Sequence, residues 1–461
     1  MNWTVFLLIL YVVLAIVVVF GLLINGVRPS KTLAWLLAIF TIPIGGILFY
    51  LLLGRNRRKN RLLKNRTYLN TATLAAPLCT EYGKLQQLIL KNCHFPPTYN
   101  NDLKILKDGK TTFESIFDAL ETAQSYIYIQ YYIFEEGELA NRLLRVFREK
   151  IAHGVQVKMI YDSIGSYSLS KKYLKELRKM GVQVFPFLPF RFGRFLSSLN
   201  NRNHRKIIVI DGIIGFTGGI NISDKYLKGD PNLGHWHDRH LEIEGEAVEQ
   251  LETTFILDWN LVSEQKLSFS KRKTHPLYGD ATVQIASSGP EDDFPTIEQV
   301  YFSIINNAKS YLYIINPYII PGPEILQALQ TASLSGVDIR ISISPQSDST
   351  IVGWSVQSYF EPLLKAGVRI FLFPHGFLHS KIMISDDRIS AIGTANIDIR
   401  SFEHNYEVNA IVYDEATTIE LKEDFLADCI ISRELLYAEH KKRALTTKLK
   451  EGFAKILSPV L

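Results

Sequence analysis

Residues 203–221 read NHRKIIVIDGIIGFTGGIN, and residues 378–396 read LHSKIMISDDRISAIGTAN. The first stretch places His204, Lys206, Asp211, Gly218 and Asn221 at the same offsets as His379, Lys381, Asp386, Gly393 and Asn396 in the second. Five matches at fixed spacing, with the histidines 175 positions apart (379 against 204), mark an internal duplication. Two copies of one polar set point to one active site built from two halves.

The repetition extends outward from these stretches. AQSYIYIQYYIF (123–134) parallels AKSYLYIINPYII (308–320), GVQVKMIYD (154–162) parallels GVDIRISIS (336–344), and MGVQVFPF (180–187) parallels AGVRIFLFP (366–374). Such runs of β-branched and aromatic residues read as buried strands. Segments of helical period lie between them, including TTFESIFDALETAQ (111–124) and SLSKKYLKELRKM (168–180). Strands alternating with helices predict an α/β fold with helices covering a sheet, here written twice as two α/β/α halves that share a site. The expected organisation is an amino-terminal segment 1–66, a first half 67–260, a polar linker 261–280 containing SFSKRKTHP, and a second half 281–461.

In H-x-K on a strand, alternation points both side chains to one face. One imidazole beside one ammonium is a modest anion site. Two such faces meeting would gather His204, His379, Lys206 and Lys381 around one phosphoryl centre, with Asn221 and Asn396 as further donors. The cations and amides offset charge on the non-bridging oxygens. One imidazole attacks phosphorus to give a phosphohistidine, and the other protonates the leaving alkoxide and later deprotonates the incoming alcohol or water. The lysines supply the positive field, so this reading needs no metal and no cofactor. Each histidine needs an orienting acceptor on its far nitrogen, for which Glu242 and Glu407, each beyond its own motif, are the candidates. Asp211 and Asp386 complete the repeated set. At a strand end they suit a turn cap or fold support better than contact with phosphate, which would repel a carboxylate.

The 461 residues, 47 % of them hydrophobic and with a formal net charge of +5, suit a globular body carrying a membrane segment. Cys79, Cys93 and Cys429 are too few and too scattered for a disulfide framework or structural zinc. Val5 to Ile24 is a twenty-residue run without a charge, ~30 Å as a helix and long enough to span a bilayer. No positive charge precedes it and no small-x-small pattern follows, which argues against a cleaved signal peptide. A second apolar run, 33–53, contains Pro43 and Gly45-Gly46; a second crossing is expected there, with a kinked or re-entrant segment as the alternative. Arg55, Arg57, Arg58, Lys59, Arg61, Lys64 and Arg66 follow at once. The positive-inside tendency then puts the catalytic body on the cytoplasmic side of the cell membrane.

Three other features carry weight. PFRFGRFLSSLN (189–200) interleaves Arg191 and Arg194 with Phe190, Phe192 and Phe195, a pattern for an interfacial loop or for packing. His235, His237 and His240 resemble a metal cluster by spacing, but only Asp238 lies nearby to complete it. The tail 439–457 is basic, with Leu445, Leu449, Phe453 and Ile456 recurring at three or four residues, so it forms an amphipathic helix for the bilayer or the body.

The repeated stretches resemble the two HKD motifs, HxKx4Dx6GxxN, of the phospholipase D superfamily, and the chain is most similar to its membrane-anchored bacterial cardiolipin synthases. Residues 25–58 resemble the double-span module of those enzymes. DSIGS (162–166), RNHRKI (202–207), NPYIIP (316–321), FLHSK (377–381) and NIDIRSFEHNYEVN (396–409) resemble further segments of them. The resemblance implies that His204 and His379 are the catalytic pair, within motifs completed by Asp211 and Asp386. Lys206, Lys381, Asn221 and Asn396 would grip phosphate. It implies phosphatidyl transfer between two molecules of phosphatidylglycerol, an anionic phospholipid, at a membrane. In WHDRH (236–240) the chain departs from the family's usual W-R-D-T-H: His237 replaces a cation and Arg239 supplies one, which could alter headgroup preference.

Two other functions compete. Hydrolysis would use the same site with water as acceptor. A lipid-binding scaffold with a dead site is opposed by two intact H-x-K motifs. Nucleic acid is not the expected partner, because the basic residues cluster at the two ends without an aromatic stacking platform. The oligomeric state is not legible.

Overall fold

The computed structural model describes residues 3–24, 29–50, 81–189, 201–269 and 276–458. The chain forms two compact units, Met1–Lys64 with Phe190–Asn200 and Asn65–Pro189 with Asn201–Leu461. The basic stretch 55–66 and the loop 190–200 lie outside the described residues.

In the first unit, α1 (Trp3–Ile24) is a helix of 22 residues without a charge. Its Ala15, Val18 and Leu22 pack with Ile39, Ile47 and Tyr50. The run expected to form one second span is instead two helices, α2 (Pro29–Thr41) and α3 (Pro43–Phe49). Ile42 leaves the helical region (φ −126°, ψ 76°), and Pro43, which has no N–H to donate, opens a new helix at its first turn. Among the described residues no helix is long and apolar enough to cross a membrane.

The second unit begins with α4 (Gly83–Cys93). Its first half continues with β1 (Asn101–Leu106), α5 (Gly109–Thr122), β2 (Tyr126–Tyr131), α6 (Glu138–Ala152), β3 (Gln156–Asp162), α7 (Lys171–Met180) and β4 (Gln183–Phe187). Then come β5 (Arg202–Asn203), β6 (Ile207–Ile210), β7 (Ile214–Gly218), α8 (Lys225–Lys228), β8 (Trp236–His237), β9 (His240–Gly245) and α9 (Val248–Val262). The second half runs β10 (Val283–Ser288), α10 (Thr296–Asn307), β11 (Tyr311–Ile315), β12 (Ile319–Ile320), α11 (Pro323–Leu334), β13 (Asp338–Ile343), α12 (Thr350–Lys365) and β14 (Arg369–Leu372). It continues with β15 (Phe377–Leu378), β16 (Ile382–Ser385), β17 (Ile389–Gly393), β18 (Ile397–Asp398), α13 (Ile399–Glu403), β19 (Asn405–Val412) and α14 (Glu415–Ile431). The carboxy-terminal elements are β20 (Arg433–Leu435), α15 (Tyr437–Lys441) and α16 (Leu445–Leu457).

The first sheet has the order β1-β9-β7-β6-β2-β3-β4, and the second has β10-β19-β17-β16-β11-β13-β14, with β20 added at its edge. Each pairing has the same direction in both: β2·β3·β4 and β11·β13·β14 are parallel, the rest antiparallel. Strand for strand, the duplication read in the sequence is present.

Alternation along the strands builds three cores. Ile127 and Ile129 of β2 face a core with α5, α6 and α7, and Leu312 and Ile314 of β11 face one with α10, α11 and α12. The opposite faces meet in one central core that takes Tyr128 and Val209 from the first sheet, Tyr313 and Ile384 from the second, and α9 and α14 between. An aromatic stack is repeated there, Tyr126–Tyr128–Phe255 at 4.5 and 4.8 Å and Tyr311–Tyr313–Phe425 at 4.4 and 4.7 Å. Such pairs add about 0.5–1.5 kcal/mol each beyond the area they bury. A shared core fixes the two halves against each other, which a composite site requires.

Candidate active site

Two short strand pairs cross between the halves. β5 runs parallel to β19, with Arg202 opposite Asn405, and β15 runs parallel to β8, with Phe377 opposite Trp236. The residue after each crossing strand is a motif histidine, and its backbone N–H is also bonded across: His204 to the Tyr406 carbonyl at 2.9 Å, His379 to the His237 carbonyl at 2.7 Å.

The side chains repeat the crossing. His204 Nδ1 lies 3.0 Å from both oxygens of Glu407, a residue of the second half. His379 Nδ1 lies 2.7 Å from Asp238, a residue of the first half. Glu407 also accepts from Thr394 Oγ1 (2.5 Å) and Asn405 Nδ2 (3.2 Å), while Asp238 accepts from the Arg239 N–H at 2.8 Å. Carboxylates so held fix the Nδ1–H tautomer and leave each Nε2 as the reactive nitrogen. Asp238 and Glu407 occupy equivalent places: each stands two residues before the partner of the motif glycine, since Gly218 pairs with His240 and Gly393 with Asn409. The motif glycines are required by that closeness. A Cβ on Gly218 (φ +152°) would come within 2.6 Å of His240 Nδ1, and one on Gly393 within 2.2 Å of Asn409 Oδ1.

Lys206 and Lys381 are both buried, and each donates from Nζ to the carbonyl of its own histidine, Lys206 at 2.8 Å. Lys381 Nζ also lies 3.0 Å from His379 Nδ1. Aromatic walls differ between the halves: Tyr132 meets the His204 ring edge-on at 4.9 Å, whereas Trp236 (5.2 Å) and Phe377 (5.8 Å) flank His379, with the Tyr226 hydroxyl 3.2 Å from its Nδ1. Behind His204, the buried Arg205 bonds Asp258 (2.7 Å), the Glu407 carbonyl (3.2 Å) and Ser287 (2.7 Å), tying the halves together beneath the site.

Burial lowers the pKa of His204 to about 4, with Lys206 and Lys381 adding to the fall and Glu407 opposing it. Burial and then Lys381 lower His379 to about 3, against the pull of Asp238. Burial brings Lys381 down to about 8, and burial with the facing Lys381 holds Lys206 well below the ordinary lysine value. At neutral pH both imidazoles are therefore uncharged, and the two lysine amines are close enough that charge on one opposes charge on the other. A bound anion would relieve that repulsion.

Other residues singled out in the sequence lie differently. Asp211 (φ +52°) accepts the N–H groups of Gln124, Ser125 and Tyr126 at 2.7–2.8 Å, and Asp386 (φ +54°) accepts those of Lys309, Ser310 and Tyr311 at 2.8–3.0 Å. Both bind the start of a central strand. Glu242 is not an orienting acceptor: it takes a bond from Ser115 Oγ (2.5 Å) and lies 3.7 Å from Lys104, because it stands two residues past the equivalent of Asn409. Asn221 Oδ1 accepts from the Ile133 N–H (3.1 Å), and Asn396 is buried beside the second motif. Arg239 is tied to Asp428 at 3.1 Å and Asp424 at 3.8 Å. His235 and His237 stack edge-on at 5.2 Å, His240 is buried elsewhere, and among the described residues no set of His, Cys, Asp or Glu is grouped to hold a metal.

Comparison with known proteins gives the family and the fold. A family model described as "Cardiolipin synthase, PLD-like domain" matches residues 116–259 and 301–429, and one described as "Phospholipase_D-nuclease N-terminal" matches 9–55. A cardiolipin synthase of Geobacillus thermodenitrificans is 38 % identical over 449 residues, covering 94 % of this chain and 89 % of the relative. The major cardiolipin synthase ClsA of Bacillus subtilis is 37 % identical, covering 98 % of each chain. Among solved structures, phosphatidylserine synthase of Haemophilus influenzae superposes with a TM-score of 0.63 at 15 % identity, covering 82 % of this chain and all of that one, a likeness of fold.

Proposed function

We infer, since the chain belongs to the cardiolipin synthase family of phospholipase D-like proteins, that it converts two phosphatidylglycerol molecules to cardiolipin and glycerol. The observation that carries the chemistry is the crossed pair of carboxylate-backed histidines, His204–Glu407 and His379–Asp238. In the first step Nε2 of one histidine attacks phosphorus, the bond to the headgroup glycerol oxygen breaks, and the other histidine gives that oxygen its proton. In the second step the terminal hydroxyl of another phosphatidylglycerol gives its proton to that second histidine and attacks phosphorus, and the N–P bond breaks. Lys206, Lys381, Asn221 and Asn396 hold the phosphoryl oxygens. We assign attack to His204: its Nδ1 faces two carboxylate oxygens, whereas Lys381 Nζ beside Nδ1 of His379 withdraws electron density from that ring. The acid takes its proton from solvent as substrate binds, because the phosphodiester anion raises the proton affinity of an otherwise neutral imidazole.

The amino-terminal unit is the tether in this reading. The charge-free α1 and the segment 29–50, broken at Pro43, anchor the chain at the bilayer, and the basic residues 55–66 favour the cytoplasmic face for the body.

Labelled phosphatidylglycerol in mixed micelles tests the reaction: cardiolipin with free glycerol is expected, and phosphatidic acid with glycerol but no cardiolipin would make the enzyme a hydrolase. Beside a Lys206 that burial and Lys381 also depress, the Lys381 ammonium contributes to the alkaline limb. As its charge is lost when pH rises through about 8, kcat/KM should fall about tenfold per unit beyond that point. Lys381→Arg should carry the limb upward, and a profile flat to pH 10 would remove Lys381 from phosphate binding.

A further inference from the structure

The carboxy-terminal helix α16 presents its apolar side away from the body. Leu445, Leu449, Phe453 and Ile456 are 61–77 % exposed, and at 3.6 residues per turn they fall within an arc of about 80°. The opposite side is already committed: α16 packs on α12, Ala454 and Glu451 are buried, and Arg443 holds both Glu451 oxygens at 3.0 and 2.8 Å. Ser458 Oγ shares a 3.0 Å hydrogen bond with Ser355 Oγ, which fixes the end of the helix. Rotating the apolar side inward would expose Ala454 and strand Glu451, so the body has no use for that side.

Charge borders the apolar arc. By the same helical geometry Lys448 and Lys455 lie on one flank and Lys450 on the other, and the exposed Lys441, at the end of α15, and Lys442 precede the helix. The heads of Lys450 and Lys455 lie over the rings of Trp354 (5.3 Å) and Tyr359 (4.7 Å) at the rim of α12. Ile430, Ile431 and Leu436, in the chain leading to α15, are exposed as well. An apolar stripe between lysines is the pattern of a helix lying in a lipid interface. A second copy is a poor occupant, because it would set lysine rows against each other.

We propose that the outward side of α16 is a membrane-docking surface, seated at the headgroup–acyl boundary of a bilayer that carries anionic phospholipid. It holds the catalytic body against the surface on which the substrate resides. The proposal rests on the residues of α16 and stands or falls apart from the identity of the reaction.

The full chain reconstituted in phosphatidylglycerol–phosphatidylcholine vesicles, with Phe453 replaced by p-benzoylphenylalanine, tests it by photo-crosslinking. A lipid adduct by mass is expected at position 453, several-fold above that of the same group at the exposed Lys175 of α7 and several-fold weaker in pure phosphatidylcholine. Equal yields at 453 and 175, equal yields in the two lipid mixtures, or a crosslink to a second chain would each overturn it.

Discussion

Alanine at His204 or at His379 should lower phosphatidyl transfer by about 10,000-fold, with the fold intact and the melting temperature changed by only a few degrees. Each ring is backed by a carboxylate of the other half and buried among fixed partners, so no neighbour can replace it. The two losses should not add, because turnover needs both histidines. The variants differ in what accumulates. With His204→Ala, quenching in sodium dodecyl sulfate at neutral pH during turnover of acyl-labelled phosphatidylglycerol should recover no lipid on the protein. With His379→Ala, attack is slow but the phosphoenzyme cannot be resolved, so labelled lipid should accumulate on the chain. The reverse pattern would exchange the two roles, and full activity in either variant would end the two-histidine mechanism.

Much of this site was legible in the sequence because H-x-K and the glycine and asparagine beyond it recur at fixed offsets, and the strands around them recur in the same order. What was not legible has definite physical causes. The choice of Glu242 followed chain proximity, whereas the acceptor position is set by strand register. Aligning D-x-H (238–240) with E-x-N (407–409) on the pairings Gly218–His240 and Gly393–Asn409 would have found Asp238. The exchange of carboxylates between halves depends on strands of two residues, β5 and β8, too short for any periodicity to reveal. The demotion of Asp211 and Asp386 was readable from charge alone, since a carboxylate beside phosphate is repelled, and both accept three backbone N–H groups. Pro43 signalled a weak point in the second apolar run, but whether it kinks or divides a helix depends on the backbone of Ile42.

The crossing itself makes the second large prediction. Glu407→Gln and Asp238→Asn keep size and shape but remove the charge that holds each Nδ1–H, and each should cost about 100- to 1,000-fold in kcat. Neither carboxylate touches the reacting atoms, so the discriminating measurement is which step suffers. Glu407 acts through His204, and its glutamine variant should form phosphoenzyme slowly and show little at steady state. Asp238 acts through His379, and its asparagine variant should accumulate phosphoenzyme, as His379→Ala does. Nitrogen-15 spectra should agree: loss of Glu407 disturbs the Nδ1–H tautomer of His204 and leaves that of His379 in place, a selectivity that general loosening of the fold would not produce. Glu242→Gln, which removes a charge bonded to Ser115 on the far side of β9, should alter kcat less than about threefold. If Glu407→Gln and His379→Ala both accumulate phosphoenzyme while Asp238→Asn does not, each carboxylate serves the histidine of its own half, and the active site is two adjacent units in place of one composite centre.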